Sequence, residues 1–418
     1  MIDLLDLDRW AREGAPYDEF KRLRETAPVS KHPNKGDGFW VVSGYDDVVA
    51  LGRCPHILSS DGGNGGVSGL GPGDELDEGQ SQIGAQAGID GSVFGGDVAM
   101  LLTLDPPEHT AYRKIVNKGF TPRMIGLLET KIRGLLTGYL DATPAGEPFD
   151  LVESVSMPLP MQVIAEMIGA PRSMHADLAR WSNQSVGGTD PEYQTGDEFS
   201  QIGAVLSLFM AFDQIRDAHT GDEDDLTTVL LSASVDGEGL SEIRFKMFLF
   251  LLALAGNETT RNAISHGVMR LAEHPEQWER LREDPSLVPS AVEEIIRFAS
   301  PVLYFRRNAI APMTVGGVDI EPGDLVSLWY VSANRDASVF GPTADEFDVA
   351  RDPNPHIAFG GGGPHFCLGA SLARLEVRLV LEALLERYAA IEPAGPVDRL
   401  RSNFLHGIKH LPVRFVPS

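Results

Sequence analysis

The sequence predicts a mainly α-helical protein with a minor β region. Three observations support this prediction: apolar residues recur at helical spacing along most of the chain, strand-like segments are short, and turn residues cluster beside them. Of the 418 residues, 43% are hydrophobic, which is enough to fill a large core. Because no Pro/Gly/Ser-rich linker separates two similar halves, we expect residues 1–418 to form a single domain.

Helical spacing of apolar residues marks six segments along the chain. They are Ile125–Leu140, Pro160–Ile168, Ile202–Ile215, Ser241–Leu271, Leu287–Ala299 and Leu368–Tyr388. Two strands are clearest, Phe39–Val42 and Leu325–Val331, and turn residues rich in glycine precede the second. With so few strand signals, the sheet is expected to be a minor part of the fold.

Residues 61–97 are rich in glycine, with thirteen glycines in thirty-seven residues and one aromatic residue, Phe94. Such a segment cannot bury enough apolar surface to become a fixed element on its own. We interpret it as a flexible insertion. The residues leave open whether it is a mobile lid or a disordered surface loop.

The chain is strongly acidic, with 60 acidic and 35 basic side chains and a net charge of -25. This charge repels polyphosphate and anionic lipid, so neither nucleic acid nor a membrane surface is expected as a partner. One local stretch is basic, because six basic residues lie between Arg113 and Arg133 against a single acid, Glu129. This stretch is either a docking area for an acidic partner or a solvated helix face.

The two cysteines, Cys54 and Cys367, cannot form a disulfide framework, and a reducing compartment is therefore favoured. The N-terminus lacks the basic and apolar regions of a signal peptide, so we expect a cytoplasmic protein. The longest strongly apolar run, Met247–Ala255, is far shorter than the roughly 20 residues that span a bilayer. We therefore expect no membrane anchor.

Cys367 follows a glycine-rich loop and directly precedes a long amphipathic helix. The loop reads Phe359-Gly-Gly-Gly-Gly-Pro364-His365-Phe366-Cys367-Leu368-Gly369. Glycines let a backbone approach a flat ligand closely, and the amide dipoles at a helix start favour a thiolate over a thiol. Zinc is disfavoured, since no second cysteine or close histidine pair completes a tetrahedral site. Cys54 has no comparable surroundings and is interpreted as an inert residue.

A polar interruption lies inside the apolar helix predicted at Ser241–Leu271. The residues are Ala255-Gly256-Asn257-Glu258-Thr259-Thr260. A glycine in a helix interior costs about 1 kcal/mol relative to alanine, so another role has to offset it. The plain alternative is a helix end capped by Thr259 or Thr260, but the apolar pattern continues without a break to Leu271.

The cysteine loop resembles the haem-binding signature of the cytochrome P450 family, in which a phenylalanine, glycines and a basic residue precede Cys-x-Gly. Phe359 lies eight residues before Cys367, whereas seven is the commoner spacing in that family. The longer spacing is similar to a bacterial branch that includes sterol side-chain and branched-lipid hydroxylases. The resemblance extends from about Leu23 to the end of the chain, with four motifs in the expected order.

This resemblance implies a cytochrome P450 fold that holds haem b, with the thiolate of Cys367 as ligand to the iron. It also implies that Glu258 and Thr259 deliver protons to bound dioxygen, for which Ala255 and Gly256 leave room. Further haem contacts are implied for Phe359 and Gly369. The haem carboxylates are expected to meet a cationic set, which comprises His109, Arg113, Arg307 and His365.

Glu294 and Arg297 lie three residues apart on one predicted helix. By itself such an ion pair usually contributes little to the stability of a protein. They resemble the E-x-x-R motif of the same family, with Arg351 following at the usual distance. The resemblance implies that these three residues form a buried ionic triad that holds the cysteine loop.

The resemblance implies a haem-thiolate monooxygenase that hydroxylates an apolar terpenoid, sterol or branched-chain lipid with dioxygen. No flavin, iron–sulfur or G-x-G-x-x-G segment is found, so electrons have to come from outside, by resemblance from a ferredoxin and its reductase. Its expected docking area is the basic stretch 113–133 together with Arg374 and Arg378. Apolar candidates for the substrate wall are Phe94, Leu254, Ala255, Val302, Leu303 and Phe404.

Two other classes of haem protein remain open from the sequence. A peroxide-driven peroxygenase would share Cys367 but would not need Glu258 and Thr259. A non-catalytic haem sensor or carrier would bind haem without turnover. The acid–alcohol pair favours a monooxygenase over both.

Overall fold

A computed structural model gives the fold of the chain. It describes residues 3–33, 38–61, 100–186, 190–193, 200–221, 224–235 and 237–418. The glycine-rich segment beyond Asp61, including Phe94, lies outside the described residues. No helix among the described residues is both long and apolar enough to cross a membrane.

The described residues form fifteen α-helices. The first eight are α1 Leu7–Glu13, α2 Tyr17–Thr26, α3 Tyr45–Gly52, α4 Glu108–Val116, α5 Pro122–Ala142, α6 Pro158–Met167, α7 His175–Val186 and α8 Ser200–Ala218. The others are α9 Leu226–Leu231, α10 Glu242–Glu273, α11 Pro275–Glu283, α12 Val288–Ala299, α13 Tyr330–Ala333, α14 Ala337–Phe340 and α15 Ala370–Arg387. Helix is therefore the main structure, as the sequence predicts.

The strands are short and form several small sheets within the described part of the chain. They are β1 Val29–His32, β2 Phe39–Val42, β3 Leu58–Ser59, β4 Pro148–Asp150, β5 Ser234–Val235, β6 Glu238–Gly239 and β7 Tyr304–Ala309. The later ones are β8 Met313–Val315, β9 Val318–Ile320, β10 Leu325–Trp329, β11 Tyr388–Pro393, β12 Asp398–Arg399, β13 Ile408–His410 and β14 Pro412–Pro417. The largest sheet has the order β1-β2-β10-β7-β3, and a second has the order β11-β14-β4.

Helix α10 is the central element of the helical core. At 32 residues it extends about 48 Å. The side-chain hydroxyl of Ser241 caps its first turn by accepting a hydrogen bond from the Arg244 amide, and Pro275 starts the next helix. It packs against α6, α12 and α15, and its residues are buried on more than one face. This burial on several sides is typical of a helix that passes through a core.

The six helices predicted from apolar spacing are all present, with ends that differ by at most three residues. Strand β2 has the predicted bounds, whereas the second predicted strand ends at Trp329 because residues 330–333 turn into α13. Strand β7, which pairs with β10 in the middle of the largest sheet, was not predicted. Its two adjacent arginines, Arg306 and Arg307, interrupt the apolar pattern that marks a strand.

Glu294, Arg297 and Arg351 form the ionic triad implied by the sequence. The Arg297 guanidinium donates two hydrogen bonds to the Glu294 carboxylate, at 2.7 and 2.8 Å, and Arg351 Nε lies 3.2 Å from both carboxylate oxygens. Glu294 and Arg297 have no exposed surface. Backbone carbonyls between residues 334 and 346 accept the remaining Arg297 hydrogen bonds. The triad therefore fixes the long irregular segment that leads to the cysteine loop.

Glu294→Gln is expected to lower the free energy of unfolding by about 3–5 kcal/mol, because two buried guanidinium groups lose their carboxylate. The urea midpoint of the folded protein, followed by far-UV circular dichroism, measures this change. The exposed Glu283→Gln is a matched control and should leave the midpoint unchanged. Equal midpoints for both variants would contradict a stabilising role for the triad.

Candidate functional site

Cys367 lies three residues before the first residue of α15, at the end of the glycine-rich loop. Its amide donates to the Phe359 carbonyl at 2.9 Å, which closes the loop on itself. Burial raises the pKa of the Cys367 thiol, while the backbone N–H groups of Gly369 and Ala370 and the charge of Arg113 act in the opposite direction. The thiol is therefore surrounded by groups that stabilise an anionic sulfur, as a metal-ligating thiolate requires.

The four glycines of the loop, Gly360 to Gly363, all have positive φ angles between 61° and 106°. Side-chain-bearing residues rarely adopt this conformation. A Cβ atom on Gly363 would lie 2.5 Å from the Gly52 carbonyl oxygen, and one on Gly362 would lie 2.8 Å from Arg53 Nε. The sequence suggests that these glycines admit a flat ligand. For these two, the close neighbour in the structure is instead the C-terminal end of α3.

Arg374 and Glu293 join α15, the helix that follows Cys367, to α12. The Arg374 guanidinium binds the Glu293 carboxylate through two hydrogen bonds, at 2.7 and 2.8 Å, and covers the Phe359 ring at 4.6 Å. Burial alone would raise the pKa of Glu293, but hydrogen bonds from His356 and Arg374 lower it to about 2. Sequence reasoning missed Glu293, although it directly precedes the triad glutamate.

The four predicted cationic residues gather beside the cysteine loop. The rings of His109 and His365 lie 4.2 Å apart between centroids. Arg113 donates to the Phe366 carbonyl at 2.5 Å, and Arg307 is near enough to lower the pKa of His365. Strands and helices that are distant in sequence therefore bring a single cluster together.

This cluster has unused capacity for an anion. Both ring nitrogens of His109, which is 1% exposed, lack a partner among the described residues. Burial, assisted by Arg113, lowers the pKa of His109 to about 4. Burial, assisted by Arg307, lowers the pKa of His365 to about 3. A carboxylate bound here would satisfy these groups, so the cluster and Cys367 together fit the carboxylates and the iron of haem.

Helix α10, which packs against α15, carries the polar interruption predicted from the sequence. The Thr259 hydroxyl donates to the Ala255 carbonyl at 2.6 Å, one turn earlier. Ala255 is exposed although the residues around it are largely buried. A Cβ atom on Gly256 would lie 2.5 Å from Ile164 Cδ1, so this glycine permits close contact with α6. The resemblance implies that both Ala255 and Gly256 contact a cofactor. Of the two, the exposed Ala255 is the better candidate, because Gly256 lies against α6.

Glu258 is 3% exposed and forms an ion pair with Arg261, one turn later on α10. Burial raises the pKa of the Glu258 carboxyl, and the Arg261 charge opposes that change. Both charges also act on the Tyr193 hydroxyl, whose raised pKa results mainly from burial. Arg261 was missed from the sequence because it directly follows the recognised motif and is not part of it.

The remaining candidates for the substrate wall differ in their surroundings. Leu254 and Val302 are partly exposed, and the partly exposed Phe404 ring packs against Tyr304 and Phe305. Leu303 has no exposed surface and belongs to a core cluster with Trp10 and Phe20. Leu303 therefore has no surface left for a substrate, since its apolar side chain already fills the core.

Glu376 is a second buried carboxyl that the sequence does not single out. It lies on α15, nine residues after Cys367, and is 1% exposed. Its Oε2 atom has no partner among the described residues. Burial raises the pKa of Glu376 to about 8, so the group is largely protonated at neutral pH.

Residues 205–410 match the protein-family model described as Cytochrome P450. The chain is 40% identical to the methyl-branched lipid omega-hydroxylase of Mycobacterium tuberculosis (strain ATCC 25618 / H37Rv), over 99% of this chain and 94% of that relative. It is 38% identical to the linalool 8-monooxygenase of Pseudomonas putida, over 99% of each chain. It is 36% identical to the steroid C26-monooxygenase of Mycolicibacterium smegmatis, over 96% of this chain and 91% of that relative.

The fold is also similar to solved structures. A cytochrome P450 of Mycobacterium marinum, solved in complex with pseudoionone, superposes with a TM-score of 0.86. The two chains are 34% identical, and the superposition covers 99% of this chain and 98% of the other.

Cys367→Ser is expected to abolish the strongly red-shifted Soret band that the wild-type protein gives after dithionite reduction and exposure to carbon monoxide. That band depends on a thiolate ligand, which serine cannot supply. Cys54→Ser is the matched control, because Cys54 lies outside the site and bonds to the Ala50 carbonyl. A normal band in Cys367→Ser, or no haem band in a folded, haem-supplemented wild type, would contradict the assignment.

Proposed function

The chain belongs to the cytochrome P450 family, and on this premise we propose that it hydroxylates a terpenoid, a sterol or a branched-chain lipid. The family membership confirms the predicted fold and the cofactor, haem b. The protein is a cytochrome P450 monooxygenase, which uses dioxygen, a hydrophobic substrate and an external source of electrons. A peroxygenase and a haem carrier are therefore disfavoured.

The observation that carries the proposal is the environment of Cys367. Burial raises the pKa of its thiol, whereas the N–H groups of Gly369 and Ala370 and the charges of Arg113 and Arg374 oppose that rise and would stabilise a thiolate. When bound there, haem supplies the activation of dioxygen and the transfer of one oxygen atom. Cys367 would hold the iron. His109, Arg113, Arg307 and His365 would hold the two carboxylates, with Phe359 and Gly369 beside the ring.

Glu258 and Thr259 would hold and transfer protons. The buried Glu258 holds its proton at a higher pH than an ordinary glutamate, because burial disfavours its charged form. Thr259 carries a hydroxyl one turn from the exposed Ala255, with which it already shares a hydrogen bond. The pair therefore suits proton transfer by positioned groups, which typically contributes 10²–10⁴-fold to a rate.

The substrate class rests on the relatives and on the candidate wall. The names of the relatives point to a methyl-branched lipid, to linalool and to a steroid at C26. All three kinds of compound carry methyl branches on a hydrocarbon chain. The candidate wall residues Leu254, Val302 and Phe404 are apolar, which suits recognition mainly by shape.

A ferredoxin with its reductase is our proposal for the electron donor. The basic stretch 113–133 is less positive than its sequence suggests, since Arg123, Lys131 and Arg133 form ion pairs with acids from other elements. Arg374 and Arg378 are likewise paired, with Glu293 and with Glu129 and Glu382.

Lys114 and Lys118 are exposed and form no ion pair with any described residue, so they are the best candidates for docking an acidic partner. A nearby surface cavity of about 480 Å³, lined by Phe120, Arg374 and Arg378, lies among α5, α12 and α15.

We also propose a cytoplasmic location, because both cysteines are unpaired.

A panel of ligands tests the substrate class. A methyl-branched fatty acid, linalool and a sterol should shift the Soret band of the ferric protein saturably, and at least one should bind roughly tenfold more tightly than a linear fatty acid of equal carbon number. Each buried methyl contributes about 0.8 kcal/mol, so two extra methyl contacts give roughly this factor. Product analysis by mass spectrometry then locates the new hydroxyl group. Equal binding of the linear control would contradict recognition of branched chains.

With the preferred substrate, Thr259→Ala should lower product formation by roughly 10²-fold while oxygen is still consumed and released as hydrogen peroxide. Thr259→Ser keeps the hydroxyl and should retain most of the activity. Measured oxygen uptake, peroxide and product distinguish these outcomes. Full coupling of oxygen to product in Thr259→Ala would remove the proposed role of Thr259.

Charge reversal at Lys118 tests the docking proposal. Lys118→Glu should slow reduction by an acidic ferredoxin roughly tenfold at low ionic strength, and the difference should shrink as salt is added. Stopped-flow absorbance measures the rate. Arg12→Glu, at an exposed position on α1, is the charge-matched control. The same rate for both variants would exclude this surface.

A further inference from the structure

We propose that a second cavity, remote in sequence from the cysteine loop, binds a small oxyanion such as a carboxylate or inorganic phosphate. It has a volume of about 540 Å³ and lies between the start of α2, the C-terminal end of α10 and the segment 335–347. Tyr17, Arg270, Phe298 and Arg335 are among the residues that line it. We call it the Arg335 cavity.

Arg335 is the reason to expect an anion. It is 3% exposed, and its guanidinium lies between the rings of Tyr17, at 3.9 Å, and Phe298, at 4.1 Å. Its Nη2 atom donates to the Phe298 carbonyl at 3.2 Å, but Nη1 has no acceptor among the described residues. No described carboxylate forms an ion pair with it. Burial lowers the pKa of Arg335 to about 10, so the group is still charged at neutral pH.

Two further hydrogen-bond donors on the cavity wall also lack an acceptor among the described residues. Arg270 Nε and the Tyr17 hydroxyl are buried and have no partner among the described residues. Arg270 is held in place through its Nη1 atom, which binds Glu273 at 2.6 Å, and by stacking at 5.2 Å over the Phe298 ring. Two guanidinium groups and a hydroxyl form a donor set that matches the several acceptor atoms of an oxyanion.

Two nearby carboxylates among the described residues pair with other arginines, since the buried Glu294 binds Arg297 and Glu273 binds Arg270. Burial is the main cause that lowers the pKa of Arg335; the charges of Arg297 and Arg270 act in the same direction, and Tyr17 and Asp345 oppose them. Burial lowers the pKa of His406 to about 3 and that of His266 well below its usual range, so both rings are neutral at pH 7. An unpaired buried guanidinium is costly, and a bound anion would offset that cost.

Four acidic residues also line the cavity. Asp18, Glu276, Asp345 and Glu346 are all exposed. Glu276 lies 3.2 Å from His274, and Asp345 lies 3.3 Å from Lys21. Exposed charges are screened by salt, whereas the buried guanidinium groups are screened much less. Added salt therefore weakens the repulsion by the acids more than the attraction by the guanidinium groups.

The test uses the haem-loaded protein with inorganic phosphate and acetate as probes. Isothermal titration at constant ionic strength, set with potassium chloride, should show saturable binding of at least one of them to the wild type. Arg270→Gln and Tyr17→Phe should weaken that binding by at least tenfold and about threefold, since each removes one donor. Arg280→Gln is the control, because Arg280 lies on the neighbouring α11 and pairs with Asp348.

Binding that is saturable in the wild type and lost in Arg270→Gln supports the proposal. No saturable binding of either probe, or equal binding by Arg270→Gln and Arg280→Gln, overturns it. Arg335→Gln risks misfolding because the side chain is fully buried, so the other two variants carry the test. The carbon monoxide spectrum of each variant should stay normal, which separates this inference from the function proposed for the Cys367 site.

Discussion

Two neighbouring glutamates on α12, Glu293 and Glu294, bind the segments on either side of the cysteine loop and so fix the position of the loop. Glu294 binds Arg297 on its own helix and Arg351 on the irregular segment, and all three are buried. Glu293 binds Arg374 on α15, the helix that Cys367 precedes. One helix therefore holds both the approach to the loop and the helix that follows it. Because each carboxylate is buried to some degree and its partners are arginines, removal of either charge would leave guanidinium groups uncompensated.

Arginine side chains are buried in three parts of the protein, and these parts differ in how fully the guanidinium groups are paired. At the triad, Glu294 and several carbonyls satisfy the arginines within the protein. Beside Cys367 and in the Arg335 cavity, cationic or polar groups are buried without a full set of partners among the described residues. The net charge of the whole chain is -25, yet these interior regions are positive. Composition thus describes the outer surface and gives little information about the charge of the interior.

The sequence predicts the parts of the fold that depend on local pattern. The apolar spacing of α10 and α15 continues for several turns, so both helices were predicted with nearly correct ends. The Glu294–Arg297 pair and the cysteine loop were found because their residues lie close together in short motifs, whereas Arg351 came from the family resemblance. Strand β7 was missed because its pairing with β10 is set by tertiary contact and its own sequence is polar. Arg261 and Glu293 were missed for a related reason, since each partners a recognised residue without being part of a motif.

The four positive-φ glycines of the cysteine loop also bear on how the site is assembled. Their conformation is determined by the chain itself, since Arg53 donates two hydrogen bonds to the Gly361 carbonyl and the Gly363 Cα lies against the backbone of Gly52. The loop can therefore adopt its final shape before a cofactor arrives. Cofactor uptake would then be a docking event into a preorganised cradle, and the entropy of ordering this loop would be lost during folding and not during binding.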